Sequence, residues 1–326
     1  MNNETLEAAS VQAKKPFSNR KRKTGELSFF QFVKKNNALY IMLIPVFIYF
    51  ITFKYVPLLG SVIAFKDYNI FDGFLKSKWV GFQWFKLMYT NPEYARLIKN
   101  TLLISLYQIV FSFPAPIILA CLLNEVRNMG FKRWVQTVLY LPHFLSWTLV
   151  YGLAYMMLSV QSGLVNDMLE GLGGHAFDFL QSPSAFRSVV VSAGIWKEMG
   201  WSTIIFLAAL SGINPSLYEA AKIDGAGRWK QFQNVTFPGI LPAITILLLL
   251  KIGNVMDVGF EQVYIFLSPI TYEVGEILDT YAYRLGIMNG QFSMTTAIGL
   301  FKSVIGFVLL VGANKISKST TGESLY

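Results

Sequence analysis

The chain has 326 residues, 53% of them hydrophobic and only 14% charged, with a mean hydropathy of +0.44. Soluble domains carry about 25% charged residues, so the composition excludes an ordinary soluble protein and predicts an all-α integral membrane protein. The net charge of +9 follows from where the basic residues lie and calls for no nucleic acid; the single cysteine, Cys121, leaves no intrachain disulfide framework.

Residues 1–37 are polar and basic, with Lys14, Lys15, Arg20, Lys21, Arg22, Lys23, Lys34 and Lys35. This segment reads as a cytoplasmic tail that retains the N-terminus inside. No small-residue cleavage site follows the first apolar run, so a removable signal peptide is not expected.

Six spans are predicted, at about Ala38–Leu59, Thr101–Leu123, Trp134–Leu158, Ser188–Leu210, Leu241–Phe260 and Met294–Val311. Each has roughly 18–25 residues, enough to cross a ~30 Å hydrocarbon core at ~1.5 Å per residue. Residues 38–314 then form one membrane domain, and 315–326 a short polar tail. With the N-terminus inside, sixteen Lys and Arg fall in inside segments and eight outside, six of these in the long 60–100 loop. That bias predicts both termini, and the loop between spans four and five, on the cytoplasmic side.

The 60–100 loop, with Trp79 and Trp84, is expected to lie as short helices along the outer face. Span two contains Phe113-Pro-Ala-Pro116, where missing backbone N–H groups favour a kink. In span three Trp147, Tyr151 and Tyr155 recur every four residues on one helix face, either a packing stripe or a path for stacking sugar rings. His143, beside Pro142, reads as a hydrogen-bonded structural residue.

Span four carries Trp196-Lys-Glu-Met-Gly-Trp201. A charge at mid-bilayer costs at least ~2.5–3.5 kcal/mol, so Lys197 and Glu198 must face partner helices, a water-filled path or each other through a distortion, with Trp196 and Trp201 beside them. Being sequential, the two point about 100° apart and need not pair with each other. Span five adds Lys251, Asn254 and Asp257 at three-residue steps, a polar stripe on one helix face. Both sets are substrate-path candidates, with a structural ion pair as the plainer reading. In the outside segment 261–293, Glu276, Asp279, Tyr283 and Arg284 are expected on a solvated face that can meet a partner. No phosphate-cradling G-x-x-x-x-G-K-[ST] and no metal-ligand spacing is present, so neither catalysis nor a bound cofactor or metal is expected in this chain.

Between spans four and five lies the polar stretch Asn214 to Pro238. Asn214 suits an N-cap and Pro215 the first helical turn; Gly225 and Gly227 can take positive φ and end that helix; Pro238 is expected to limit a second one. Glu219-Ala220-Ala221, Gly225, Val235 and Pro238 match the spacing EAA-x3-G-x9-I-x-L-P, with Val235 and Phe237 as apolar departures, and Asp224 with Ala226 extends the match to EAAxxDGA.

These residues resemble the EAA loop of ABC importer permeases. Further stretches, among them Lys54-Tyr-Val-Pro57, Leu122-Leu-Asn-Glu-Val-Arg127, Leu141 to Trp147 and Asp257 to Gln262, are similar to the branch that imports complex oligosaccharides and polysaccharide fragments. The resemblance implies a six-span type I ABC importer transmembrane domain in the bacterial cell membrane, with a cytoplasmic coupling helix between spans four and five. It implies Glu219, Ala220, Ala221, Asp224, Gly225, Ala226 and Pro238 as ATPase-coupling residues. It further implies a second, different permease subunit, two cytoplasmic ATPase subunits that bind ATP and Mg, and an extracellular lipid-anchored binding protein. A permease of the same superfamily for a non-sugar solute, an ion-coupled carrier using Glu198, Lys251 and Asp257, and a membrane-embedded enzyme are the competing readings.

Overall fold

The computed structural model describes residues 37–320, 322, 324 and 325. Apart from Asn37, the predicted basic tail lies outside the described residues. Helices used below are numbered α1 (Asn37–Phe50), α2 (Pro92–Tyr107), α3 (Pro114–Glu125), α4 (Met129–Tyr140), α5 (Trp147–Leu158), α6 (Leu164–Gly171), α7 (Pro183–Ser211), α8 (Pro215–Ile223), α9 (Arg228–Gln231), α10 (Phe237–Gly253), α11 (Phe260–Phe266), α12 (Leu278–Tyr283) and α13 (Phe292–Thr320).

Four helical stretches, Asn37–Phe65, Pro92–Glu125, Arg228–Gly253 and Phe292–Thr320, are each long and apolar enough to cross a membrane. α7 and α8 pass the same test as a pair bent by 67°. The chain divides into two units, residues 1–60 and 61–326. In the first, α1 continues through a π-helical turn at Ile51–Tyr55 into Val56–Gly60, with its apolar residues exposed throughout.

Proline explains the irregularities of the long helices. π-helical turns at Ile51–Tyr55, Gln108–Ser112 and Phe232–Thr236 each end two residues before a proline, Pro57, Pro114 and Pro238. A proline ring clashes with the carbonyl four residues back and donates no hydrogen bond to it; widening the preceding turn by one residue relieves the clash. Phe113 N accordingly bonds Gln108 O, five residues back, at 2.9 Å. The predicted kink in span two thus takes the form of a π turn. Pro238 does not end a helix: the turn before it joins α9 to α10 in one helix from Arg228 to Gly253.

Other boundaries also move. The helix of span two begins at Pro92, where the Asn91 side chain accepts from Glu93 N at 2.9 Å. The stretch predicted as span three is interrupted at Leu141–Phe144, a 3-10 turn opened by Pro142, so α5 spans only 12 residues. Span five ends early, at Gly253, and residues 254–259 are not helical. The last helix runs to Thr320, nine residues past the predicted end of span six. In the outer loop, predicted as short helices, Lys66–Asp67 pairs antiparallel with Lys78–Trp79. There Trp79 stacks on Phe65 and Trp84 Nε1 donates to Lys66 O at 2.9 Å.

In the second unit three apolar clusters hold the helices. Ala120, Phe206, Leu210 and Ile240 join α3, α7 and α10. Ile104, Phe186, Val190, Val258, Val263 and Ile277 tie α2 and α7 to the segment around α11. Leu97, Met256, Leu278, Met294 and Ile298 gather α2, α12 and α13. Burying such side chains contributes about 1.5–3 kcal/mol each when water is the alternative; against lipid the gain is packing.

Candidate functional site: a polar cavity and a glycine elbow

The polar centre of α7 is built on a close helix contact. A Cβ at Gly200 would lie 2.0 Å from Leu139 O, so only glycine lets the end of α4 approach. That approach sets the turn after α4 against α7. The turn leaves the His143 carbonyl without a helical partner, and Lys197 Nζ donates to it at 2.5 Å. Lys197, 6% exposed, also pairs with Glu198 Oε1 at 3.2 Å and lies 5.5 Å from the centre of the Trp147 ring. Of the arrangements open to them, Lys197 and Glu198 thus take the one in which they meet each other: the flexible lysine stem spans the 100° between them. Glu198 Oε2 meets His143 Nδ1 at 2.7 Å, and the His143 ring stacks on Trp201 at 4.5 Å and 2°.

A second polar set lies across from α7. Lys251 Nζ donates to Gln108 Oε1 at 2.9 Å, and Gln108 Nε2 donates to Val258 O at 2.9 Å. Gln262 Nε2 reaches Val190 O at 2.7 Å. Gln108 thus holds the backbone of the break between α10 and α11, which Gly259 makes possible with φ +93°, while Gln262 ties the start of α11 to α7. Backbone that leaves the helix at membrane depth needs such partners or a water-filled cavity.

The two sets face one cavity of about 610 Å³, whose wall includes Gln108, Glu198, Lys251, Asn254, Asp257 and Gln262. Four of the predicted path residues thus share it, although Asn254 and Asp257 do so from the break and not from a helix stripe. The other candidates fall elsewhere. Trp147 and Tyr151 pack against an apolar cluster, Tyr151 edge-on to Phe266 at 5.1 Å, and Tyr155 is exposed. Trp196 and Trp201 are half-exposed, and Lys197 is buried behind Glu198; none of these six lines the cavity. Sequence reasoning missed Gln108 and Gln262; a glutamine in the apolar run before Phe113-Pro114 was the available signal. The wall offers carboxylates, amides and an ammonium, a set that exchanges hydrogen bonds with a polyhydroxylated solute. Among the described residues no group of three or more His, Cys, Asp or Glu is placed to hold a metal.

The 214–238 stretch forms an elbow. Asn214 Oδ1 accepts from Ser216 N at 3.0 Å and caps α8, and Pro215 fills its first turn. Gly225, at φ +75°, ends it, while Gly227 keeps φ −67° and caps α9 instead. Ala226 N bonds back to Ala221 O at 2.8 Å, and Gln231 Nε2 holds Ala226 O at 2.7 Å. Glu219, Ala220, Asp224, Gly225 and Pro238 are exposed, and Ala221 and Ala226 half-buried. Ile223, 86% exposed, and Trp229, 68% exposed, leave apolar surface uncovered there. An ion pair, Arg228 with Glu125 at 3.5 Å, joins the elbow to the end of α3.

The 261–293 segment is pinned differently. Glu276, 1% exposed, is held by Arg284 Nη2 at 2.5 Å and Arg96 Nη2 at 3.4 Å. Asn100 Nδ2 donates to Glu273 O and Glu276 O, and Arg187 donates to Val274 O and Asn100 Oδ1. Glu276 was expected on a solvated face; Arg284 and Arg96 instead draw it into the protein. Asp279 is likewise turned inward, paired with Lys302 of α13.

Residues 112–321 match the family described as binding-protein-dependent transport system inner membrane component. The chain is 46% identical over 300 residues to protein LplB of Bacillus subtilis, covering 92% of this chain and 94% of that one. It is 47% identical over 288 residues to the polygalacturonan/rhamnogalacturonan transport system permease protein YteP of the same organism, covering 88% and 90%. Among solved structures, that of a bacterial alginate ABC transporter in complex with alginate pentasaccharide-bound periplasmic protein aligns at a TM-score of 0.84 with 39% identity, covering 91% of this chain and 99% of the other. The chain therefore belongs to the inner membrane components of binding-protein-dependent transport systems, the permease subunits of ABC importers.

Proposed function

We propose that the chain is a transmembrane subunit of an ATP-driven importer of oligosaccharides or polysaccharide fragments, and that it supplies half of the translocation path. Support for the solute class comes from the relatives, whose names specify polygalacturonan, rhamnogalacturonan and alginate. Six spans carry the path: Asn37–Phe65, Pro92–Glu125, α4 with α5, α7, Arg228–Gly253 and Phe292–Thr320. Both termini and the elbow face the cytoplasm, and the long loops face the binding protein outside.

One observation carries the coupling assignment: the exposed elbow at Gly225, with uncovered apolar Ile223 and Trp229 beside Glu219. α8 docks in a cleft of the partner ATPase, where Ala220 and Ala221 allow close approach and Gly225 sets the angle. ATP binding shifts the spans between inward- and outward-facing states to the extent that the ATPase dimer binds ATP more tightly in one of them. This chain binds no nucleotide itself; a second, different permease, two ATPase subunits and a lipid-anchored binding protein complete the assembly.

The test is uptake by proteoliposomes holding the whole complex. Uptake of pectin-derived oligosaccharides requires ATP and binding protein, and Gly225→Asp uncouples uptake from ATPase stimulation. Wild-type stimulation and uptake in that variant overturn the coupling role, and uptake without ATP that an uncoupler abolishes overturns the ABC reading.

A further inference from the structure

We infer that a second cavity, sharing the wall formed by the break after α10, is a further sugar-ring subsite of the translocation path. The inference rests on the reading of the chain as an oligosaccharide permease. The cavity measures about 490 Å³, and Asn254, Asp257, Asp279, Thr295, Lys302 and Ser303 line it. Asn254 and Asp257 also line the first cavity. A solute seated there touches the same two side chains that border the second space.

Three features mark this space as more than a packing defect. Its wall includes non-helical backbone, which persists within a membrane only where protein covers it or where it lines a water-filled cavity. It holds the ion pair of Asp279 with Lys302, which lies within the long apolar helix α13, and an ionisable group within a membrane helix marks a solute pathway. Its lining sets hydroxyl, amide and charged groups among Met256, Ala282 and Ile298, so it suits water, and sugar hydroxyls can replace that water at the polar groups.

The geometry of α13 keeps the space open. Gly306 approaches α10 so closely that a Cβ there would lie 2.5 Å from Gly253 O, which fixes the two helices side by side. Gly299, which also borders the cavity, has nothing within 4 Å of its would-be Cβ. The absence of a side chain at Gly299 thus leaves volume that no contact requires. An oligosaccharide whose first rings fill the first cavity places a later ring here, past Asn254 and Asp257, with Lys302 and Ser303 as donors and Asp279 and Thr295 as acceptors.

The subsite predicts a dependence on chain length. Gly299→Leu adds bulk at the exposed rim of the cavity without displacing backbone, and Ser303→Leu, one turn further along α13, narrows it from a second position. The whole complex is reconstituted with its binding protein and supplied with a ladder of di- to hexasaccharides from rhamnogalacturonan and polygalacturonan. Each variant raises the apparent KM for the tetrasaccharide and longer members about tenfold and leaves the disaccharide, and the ATPase stimulation it elicits, at wild-type values. Equal loss at every length, or no loss at any length in either variant, overturns the subsite. If wild-type complex takes up no member of the ladder with ATP, the oligosaccharide reading itself falls and the subsite with it.

Discussion

Replacing Glu276 should loosen the 261–293 segment by an amount the contacts define. Its carboxylate receives Arg284 at 2.5 Å and Arg96 at 3.4 Å, and it is 1% exposed, whereas the two arginine side chains are 37% and 39% exposed. A hydrogen bond to a charged group contributes about 1.5–3 kcal/mol and a neutral one about half of that. Glu276→Gln keeps an oxygen for Arg284 but loses the charge, a cost of ~1 kcal/mol, and the longer Arg96 contact adds at most ~1 more. Glu276→Leu removes both acceptors, yet water still reaches the arginines, so the loss lies near ~3 kcal/mol, the low end for a broken buried pair. The measurement is thermal unfolding of the purified permease, followed with a thiol-reactive dye at Cys121, the single and half-buried cysteine. The midpoint should fall in the order wild type, Gln, Leu, and Arg284→Gln should fall further than Arg96→Gln. A Gln variant as stable as wild type, or Arg96→Gln costing more than Arg284→Gln, refutes the reasoning.

Two further predictions concern the helix contacts. Gly306→Ala sets a Cβ 2.5 Å from the Gly253 carbonyl, which is backbone and cannot turn aside; an overpacking cost of about 1–3 kcal/mol follows. Gly312→Ala on the same helix, with nothing within 4 Å, should be silent in the same unfolding assay. At the α7 centre, Glu198→Leu should destabilise more than Lys197→Met, because it strands an ammonium with a 7% exposed side chain, whereas the lysine's removal leaves a carboxylate that is 42% exposed and still bonded to His143. The reverse order would mean that Glu198, not Lys197, is the desolvated member.

The apolar helices were legible because length and composition alone betray a membrane span, and the elbow was legible because Asn214, Pro215 and Gly225 each favour one backbone conformation. The failures share a cause. Lys251, Asn254 and Asp257 were placed on one face by counting three residues per step, which assumes an unbroken helix; Gly259 just beyond them breaks it, and Gln108, which satisfies the Val258 carbonyl there, comes from a distant part of the chain. The stripe of Trp147, Tyr151 and Tyr155 has the right spacing, but which surface it meets is decided by Phe266 of α11. Glu276 looked like a surface acid since its arginine partners lie as many as 180 positions away in sequence.

The π turn at Gln108–Ser112 has a consequence for which side chains can meet. Gln108 and Pro116 both line the first cavity, eight positions apart. At about 100° per residue an α-helix would set them roughly 80° from alignment. The turn accommodates one surplus residue, which brings that offset to roughly 20°. The proline that follows therefore does more than bend the helix: it rotates the lower half about its own axis and turns a second set of side chains toward the same space. Ile51–Tyr55 and Phe232–Thr236 give the chain two more such rotations, so each of these three spans is two half-helices in different phase, and the faces of Val56, Phe113 and Phe237 onward are counted anew.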